Sequence, residues 1–231
     1  MSKLKELIRE QTLLASKVSL QDYLPTPLST IAGVDVTFLD PQKPKTTALA
    51  AIVVLSYPEL KVRDKVVVKE TVSFPYLPGF LAFREFPAVK KAYEKLATKA
   101  DIYLVDGQGI AHPRASGIAS HMGVMLNIPT IGCAKSLLYG NFDPTALKAN
   151  LPAGGASSPL LDKFGDEIGV VVRPKGGSQL IFVSPGHMVS VKSAAEIVKK
   201  LFIYSLPEPI RIADILLREE RRKELGQCSL L

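Results

Sequence analysis

The amino-acid sequence predicts an α/β domain with a mixed central sheet flanked by helices. Three observations lead to this prediction. Three strand-like runs follow one another early in the chain, strand-like and helical runs alternate after them, and 47% of the 231 residues are apolar. This length and apolar content suffice for one hydrophobic core of good size. We therefore expect a single domain over residues 1–231.

The first part of the chain predicts one helix and an antiparallel meander. Leu4, Leu7, Ile8, Leu14 and Val18 recur at helical spacing, which indicates an amphipathic helix over residues 3–18. Strand-like segments follow at 31–40, 46–57 and 61–74, and a turn near residues 58–61 joins the last two. Three consecutive strands of this kind are typical of a meander.

Helices and strands alternate in the next part of the chain. Helices are expected at 80–99 and 116–127 and strands at 102–106 and 129–134, which gives the order β-β-β-α-β-α-β. Pro87 inside the first of these helices indicates a kink or a late start. Residues 140–163 predict a loop because they are rich in Gly, Pro, Ser and Ala. A strand pair (167–174 and 179–186, joined by residues 175–177) and helices at 193–203 and 209–225 complete the prediction.

The overall charge and the cysteines narrow the class of protein. A net charge of +7 and a pI near 9.3 favour polyanionic partners, although many basic proteins bind no nucleic acid. No apolar run reaches the ~20 residues that span a bilayer, and the start of the chain lacks a signal-peptide core. We therefore expect a cytoplasmic protein without membrane contact. Cys133 and Cys228 are too few for a disulfide scaffold, and no zinc spacing is present.

Three carboxylates fall at informative positions in the predicted elements. Asp35 is a lone charge in the first strand, Asp106 ends the fourth strand, and Glu85 lies between the third and the fourth. Taken singly, they could be a solvent-facing residue, a turn residue and a surface helix residue. Taken together, they could hold Mg²⁺ and support phosphodiester cleavage, with Lys135 and His112 on the same rim.

Five ordered motifs resemble the endonuclease V family, whose members are nucleases directed at deoxyinosine. The motifs are "IAGVDVTF", "FPYLPGFLAFRE", "VDGQGIAHPR", "PTIGCAKSLL" and "SPGHMVS", and the resemblance covers about residues 31–213. It implies a ribonuclease-H-like fold, in agreement with the strand and helix order above. It also implies a requirement for Mg²⁺, for which Mn²⁺ could substitute.

The resemblance further implies roles for individual residues. It assigns metal binding to Asp35, Glu85, Asp106 and His187. Catalysis is assigned to the three carboxylates together with Lys135 and His112. Residues 75–78, here called the wedge loop, would insert Tyr76 where the lesion base leaves the stack. Lesion binding as a whole is assigned to Tyr76, Pro78, Gly79, Leu81, Gly107, Gly109 and Gly132, the glycines because they permit close backbone approach to hypoxanthine.

The implied reaction is hydrolysis of the second phosphodiester bond 3′ to deoxyinosine in DNA, which leaves 5′-phosphate and 3′-hydroxyl ends. We expect a monomer. One alternative is a relative that acts mainly on inosine in RNA, and another is a non-catalytic nucleic-acid-binding protein on the same fold. Two positions depart from the family pattern: Gln108 stands where histidine is frequent, and Met188 stands where arginine is common.

Overall fold

The computed structural model describes residues 3–148, 155–175, 177 and 179–226. Cys228 and part of the expected 175–177 turn lie outside the described residues. The helices are α1 (Lys3–Ala15), α2 (Leu81–Lys95), α3 (Ile118–Leu126), α4 (Val191–Lys199) and α5 (Glu208–Glu224). The strands are β1 (Thr30–Phe38), β2 (Thr46–Ser56), β3 (Val62–Val72), β4 (Ile102–Val105), β5 (Thr130–Ala134), β6 (Ala156–Leu161), β7 (Glu167–Arg173) and β8 (Ile181–His187).

The eight strands form one mixed sheet in the order β3-β2-β1-β4-β5-β8-β7-β6. β1, β2 and β3 pair antiparallel, which confirms the predicted meander. β4 and β5 then add parallel to β1, and β8, β7 and β6 continue antiparallel. The parallel centre arises because α2 and α3 carry the chain back across the sheet before β4 and β5. The carboxyl ends of β1, β4 and β5 therefore meet at one edge.

The structure corrects the loop expected at 140–163. This segment contains a 3₁₀ helix (Pro144–Leu147) and strand β6, while residues 149–154 lie outside the described ranges. Ala156, Ser158 and Leu160 of β6 are buried in alternation, but serine and proline in "ASSPLL" hide that period from a hydrophobic pattern. Pro159 fits because β6 is an outer strand, where a missing N–H breaks no ladder.

The helices cover both faces of the sheet. On one face α2 and α3 bury Val34, Ile52 and Tyr103. Helix α2 begins before Pro87 and continues past it, which rules out a helix that starts only at the proline. On the other face α4 packs on the β5, β7 and β8 region, and α5 packs on β2 through Ala213 and Leu217. In the described part of the chain no helix is long and apolar enough to cross a membrane.

Helix α1 packs differently from the amphipathic helix that the sequence predicts. Leu4 is 50% exposed and Ile8 is 38% exposed, whereas Gln11 and Leu14 are the buried positions of this helix. Its apolar stripe therefore contributes little to the core. A polar side chain, Gln11, makes its deepest contact.

The start of α5 lies directly against β1 at Gly33. A Cβ atom at Gly33 would be 2.0 Å from the carbonyl oxygen of Pro209, so a side chain has no room there. Gly33 therefore permits the close approach of α5 to the strand that carries Asp35.

Replacement of Gly33 by alanine should lower the free energy of unfolding by about 1–3 kcal/mol, because the backbone of α5 must move to accept the methyl group. The matched control is Gly177→Ala, where the nearest atoms to an added Cβ lie at 3.6 Å. The control should change stability by less than about 0.5 kcal/mol. Denaturant titration of both variants measures the difference, and equal stabilities would contradict this account of the contact.

Candidate active site

Asp35 and Asp106 lie side by side at the carboxyl ends of β1 and β4. The two strands are parallel with Val34 opposite Val105, so the next residue of each chain segment occupies the same level. The backbone N–H of Asp106 donates to the carbonyl oxygen of Val34 at 2.9 Å. The Asp35 carboxylate accepts from the N–H of Val36 at 2.8 Å. Sheet pairing therefore brings the two acids together.

Lys135 and Glu85 approach this pair from two further elements. Lys135 follows the end of β5, the strand next to β4, and its ammonium group forms a salt bridge with Asp106. Glu85 lies on the inner face of α2 and is only 8% exposed. The three predicted carboxylates and the predicted lysine thus meet at one edge of the sheet.

Two cavities adjoin at this edge and share Asp106 and Lys135. The first, about 340 Å³, is mainly apolar and has Glu85 and Tyr76 in its wall. The second, about 370 Å³, is mainly polar and has Asp35 and Asp214 in its wall. An apolar and a polar cavity therefore lie on either side of one acid–lysine pair.

Burial raises the pKa of all three carboxyl groups. The pKa of Asp35 rises to about 7 because of burial and the neighbouring charge of Asp106. For the same two reasons, burial first and then the charges of Asp35 and Asp106, the pKa of Glu85 lies well above its usual value. Burial also raises the pKa of Asp106, against the opposing charge of Lys135. The arrangement therefore favours any added positive charge.

Lys135 supplies positive charge at this edge. Burial lowers the pKa of Lys135, but the charge of Asp106 and the hydrogen bond to it raise the pKa above its usual value. Its backbone is also held, because Gln108 donates to the carbonyl of Ser136 at 2.8 Å and Gln179 donates to the carbonyl of Lys135 at 2.7 Å. Lys135 is therefore a positioned, protonated lysine.

Within the described ranges, no three His, Cys, Asp or Glu side chains lie close enough together to form a ready-made metal cluster. The donor chemistry nevertheless fits a hard divalent cation, because Asp35, Glu85 and Asp106 offer carboxylate oxygens whose mutual repulsion a cation would relieve. The assignment of these three residues as metal ligands stays a prediction.

The structure corrects the assignment of His187 to that ligand set. His187 pairs with Thr130 at the start of β5, whereas Lys135 follows the opposite end of the same strand. Its Nδ1 accepts a hydrogen bond from the backbone N–H of Ser19 at 3.1 Å. His187 therefore supports the segment after α1 and lies away from the carboxylates.

Asp214 on α5 is a site residue that the sequence analysis missed. It shares the polar cavity with Asp35, Asp106 and Lys135, and its charge raises the pKa of both aspartates. It also forms a salt bridge with Arg218 at 2.8 Å. In the sequence Asp214 looks like one more charge on a helix, and only the packing of α5 against β1 reveals its place.

His112 lines the apolar cavity, but both of its ring nitrogens already have partners. Nδ1 faces the backbone N–H groups of Arg114 at 3.2 Å and Ser116 at 3.4 Å, so Nε2 carries the proton and donates to the carbonyl oxygen of Gly79 at 3.0 Å. Burial lowers the pKa of His112 to about 4 and keeps it neutral. This arrangement leaves no ring nitrogen for a phosphate.

The residues predicted to bind the lesion divide into two groups. A Cβ at Gly109 would lie 2.1 Å from the carbonyl oxygen of Pro185, and one at Gly132 would lie 2.3 Å from the nitrogen of Gly109. These two glycines let the turn after β4 pack against β5 and β8. Neither glycine lines the apolar cavity, which corrects their assignment to lesion binding. The other five residues do line it: Tyr76, Pro78, Gly79, Leu81 and Gly107.

Comparison with known proteins gives this site a family context. The model of the Endonuclease V family matches residues 12–215. A protein named Endonuclease V from Trichormus variabilis is 46% identical over 213 residues, which cover 92% of each chain. One of the same name from Gloeobacter violaceus is 46% identical over 82% of this chain and 75% of its own.

Solved structures agree with the sequence comparison. The catalytic domain of human endonuclease V superposes with a TM-score of 0.87 at 34% identity and covers 97% of this chain and 98% of that one. Endonuclease V of Ciona intestinalis, solved with DNA containing an inosine followed by a ribo-adenosine, gives a TM-score of 0.81 at 30% identity, with 96% and 99% covered. The mixed eight-stranded sheet and these similarities confirm the ribonuclease-H-like fold. The chain belongs to the endonuclease V family.

Proposed function

We propose that this chain is a Mg²⁺-dependent endonuclease that recognises deoxyinosine in DNA and hydrolyses the second phosphodiester bond 3′ to it. The observation that carries the proposal is the pair of adjoining cavities that share Asp106 and Lys135. The apolar cavity suits a flipped base, and the polar one suits the phosphate that follows. Family membership supports the nuclease assignment.

Asp35, Asp106 and Glu85 are the residues that would hold the cation. When bound, a divalent cation polarises the phosphate and activates water. Mg²⁺ fits an all-carboxylate donor set, and Mn²⁺ could replace it on the same oxygens. Lys135 holds its proton and lies beside Asp106, so it would stabilise negative charge that develops on the phosphate. The products would carry 5′-phosphate and 3′-hydroxyl ends.

The apolar cavity would recognise the base chiefly through shape and backbone. Tyr76 is 62% exposed at the tip of the wedge loop and can fill the gap that a flipped base leaves. Gly107 has a φ of +151°, and a Cβ there would lie 2.5 Å from Ile118. The backbone therefore forms the cavity wall at this point, and a tight wall excludes the extra amino group of guanine.

Arginines extend the polar cavity along α5 and provide a path for the nucleic-acid backbone. Arg218 and Arg221 line the cavity that contains Asp35, and Arg222 joins them around the next surface depression. Glu220 and Glu224 lie on another side of this helix and contact Lys69 of β3, whereas Asp214 faces the cavity and pairs with Arg218. Arg221 and Arg222 therefore leave positive charge beside the proposed phosphate site.

Inosine followed by a ribonucleotide is a second candidate substrate. The Ciona intestinalis relative was solved with such a strand. Discrimination rests on contacts to the 2′-hydroxyl group. Matched oligonucleotides with ribose or deoxyribose at the inosine and at the next nucleotide would separate the two substrate classes.

Nicking of an inosine duplex should require Mg²⁺ and should fall by about 100-fold or more in Asp35→Asn and Glu85→Gln, because each loses a carboxylate charge at the cation site. Glu94→Gln is the matched control, since Glu94 is an exposed acid on the same helix as Glu85. Single-turnover gel assays with and without EDTA measure the rates. Equal activity in wild type and Asp35→Asn would refute the proposed mechanism.

Two substitutions should move the pKa of Asp35 in opposite directions from about 7. Lys135→Met removes a positive charge, so the pKa should rise, and Asp214→Asn removes a negative charge, so it should fall. Carboxyl ¹³C NMR titration of the metal-free protein measures both. Shifts of the same sign in the two variants would contradict the charge arrangement described above.

Without divalent cation, binding of an inosine duplex should depend less steeply on salt concentration in Arg222→Ala than in wild type. If Arg222 neutralises one phosphate, the slope of log K against log[salt] should decrease in magnitude by about 0.9. Lys90→Ala on α2 removes the same charge from the opposite face and should leave the slope unchanged. Fluorescence anisotropy from 50 to 200 mM salt measures the slopes. An equal change in both variants would show a net-charge effect only.

A further inference from the structure

The carbonyl oxygen of Gly79 accepts three hydrogen bonds from side chains outside its own segment. Gln11 Nε2 and Arg114 Nη2 each donate at 2.8 Å, and His112 Nε2 donates at 3.0 Å. A carbonyl oxygen has two lone pairs and usually accepts at most two hydrogen bonds. Here it has three donors, and one of them is charged. The local geometry is therefore built to hold this one backbone position.

Gln11 and Arg114 also bind each other, which joins the donors into one cluster. The Nε of Arg114 donates to Oε1 of Gln11, so the glutamine uses both ends of its amide. The Arg114 guanidinium lies 4.5 Å above the ring of Phe80. We call Gln11, His112 and Arg114 the Gly79 clamp.

Gly79 closes the wedge loop at its carboxyl side. Its φ of +76° is a left-handed conformation that favours glycine, and it follows Pro78 directly. The N–H of Phe80 donates to the carbonyl of Leu77 at 3.0 Å, so the turn is tight. Restraint of the Gly79 carbonyl therefore fixes the base of the loop whose tip carries the exposed Tyr76.

Helix α1 packs against α3 and buries few of its own side chains. Gln11 is 1% exposed, and Leu14 is the other buried position of this helix. A buried polar side chain costs free energy unless it is fully hydrogen-bonded, and Gln11 meets that condition only through the wedge loop and Arg114. Gln11 therefore ties α1 to the residue that follows the wedge loop.

We propose that α1 is a positioning element for the wedge loop, acting through the contact of Gln11 with the Gly79 carbonyl, and that extraction of the base from a duplex depends on it. The inference rests on the proposed lesion-flipping function. Gln11 touches neither the carboxylates nor Lys135, so it is a positioning residue. A displaced wedge loop should impair unstacking and leave the chemical step intact.

Single-stranded and duplex inosine substrates separate positioning from general damage. In a single strand the base needs no extraction, so the wedge loop need not fill a gap in a stack there. Gln11→Met keeps the side-chain volume and removes both hydrogen bonds. We expect kcat/KM on duplex inosine to fall by about tenfold, which corresponds to the loss of the one hydrogen bond to Gly79. The value of kcat/KM on the single strand should change by less than about twofold.

The controls lie on the same helix and in the loop itself. Thr12→Ala changes an exposed neighbour whose hydroxyl donates to Ile8 within α1, and it should alter neither substrate. Tyr76→Ala should lower kcat/KM on duplex inosine at least as much as Gln11→Met does. 2-Aminopurine placed beside inosine should brighten on binding of wild type and brighten less with Gln11→Met.

Three results would have distinct meanings. An equal loss on both substrates, or no loss on duplex, would overturn the role of Gln11. A loss on duplex inosine in Tyr76→Ala without one in Gln11→Met would retain the wedge loop and reject α1 as its positioning element. A wild type that prefers inosine in neither form would refute the proposed function itself, which sets that failure apart from the other two.

Discussion

The burial of like charges at the carboxyl ends of β1 and β4 is the constraint on which the rest of the site depends. Sheet pairing places Asp35 beside Asp106, because the N–H of Asp106 donates to the carbonyl oxygen of Val34. Burial raises the pKa of both acids, and the charge of Asp106 raises that of Asp35 further, so the pair favours a positive partner. The neighbouring strand β5 delivers Lys135, and α5 lines the other side with arginines.

In the proposed function, the same acid–lysine pair separates base recognition from phosphate chemistry. One cavity offers apolar walls and backbone, and the other offers charge. The wedge loop overhangs the first cavity, and its base is fixed by side chains from the segment after β4 and from α1. The proposed lesion reading and phosphate chemistry would thus be supported by different elements that meet at Asp106. This division is the reason that the proposed role of α1 concerns the first and not the second.

The sequence predicted those features that local pattern determines. The meander and the neighbouring positions of Asp35 and Asp106 follow from strand periodicity and from motifs at strand ends. Strand β6 was missed because serine and proline obscure its alternation. The prediction of His187 as a metal ligand was wrong because a motif does not show at which edge of the sheet its histidine lies. The pairing of His187 with Thr130 places it at the edge opposite Lys135. Asp214 and Gln11 gave no local signal, since their roles arise from contacts with distant segments.

The contact between Gly33 and Pro209 limits how this scaffold can be recombined. A chimaera that takes β1 from one relative and the last helix from another must preserve a spacing with no room for a methyl group. The two segments come from distant parts of the chain, so a crossover between them separates a pair that has to match. Libraries built on this fold should exchange β1 and α5 as one unit.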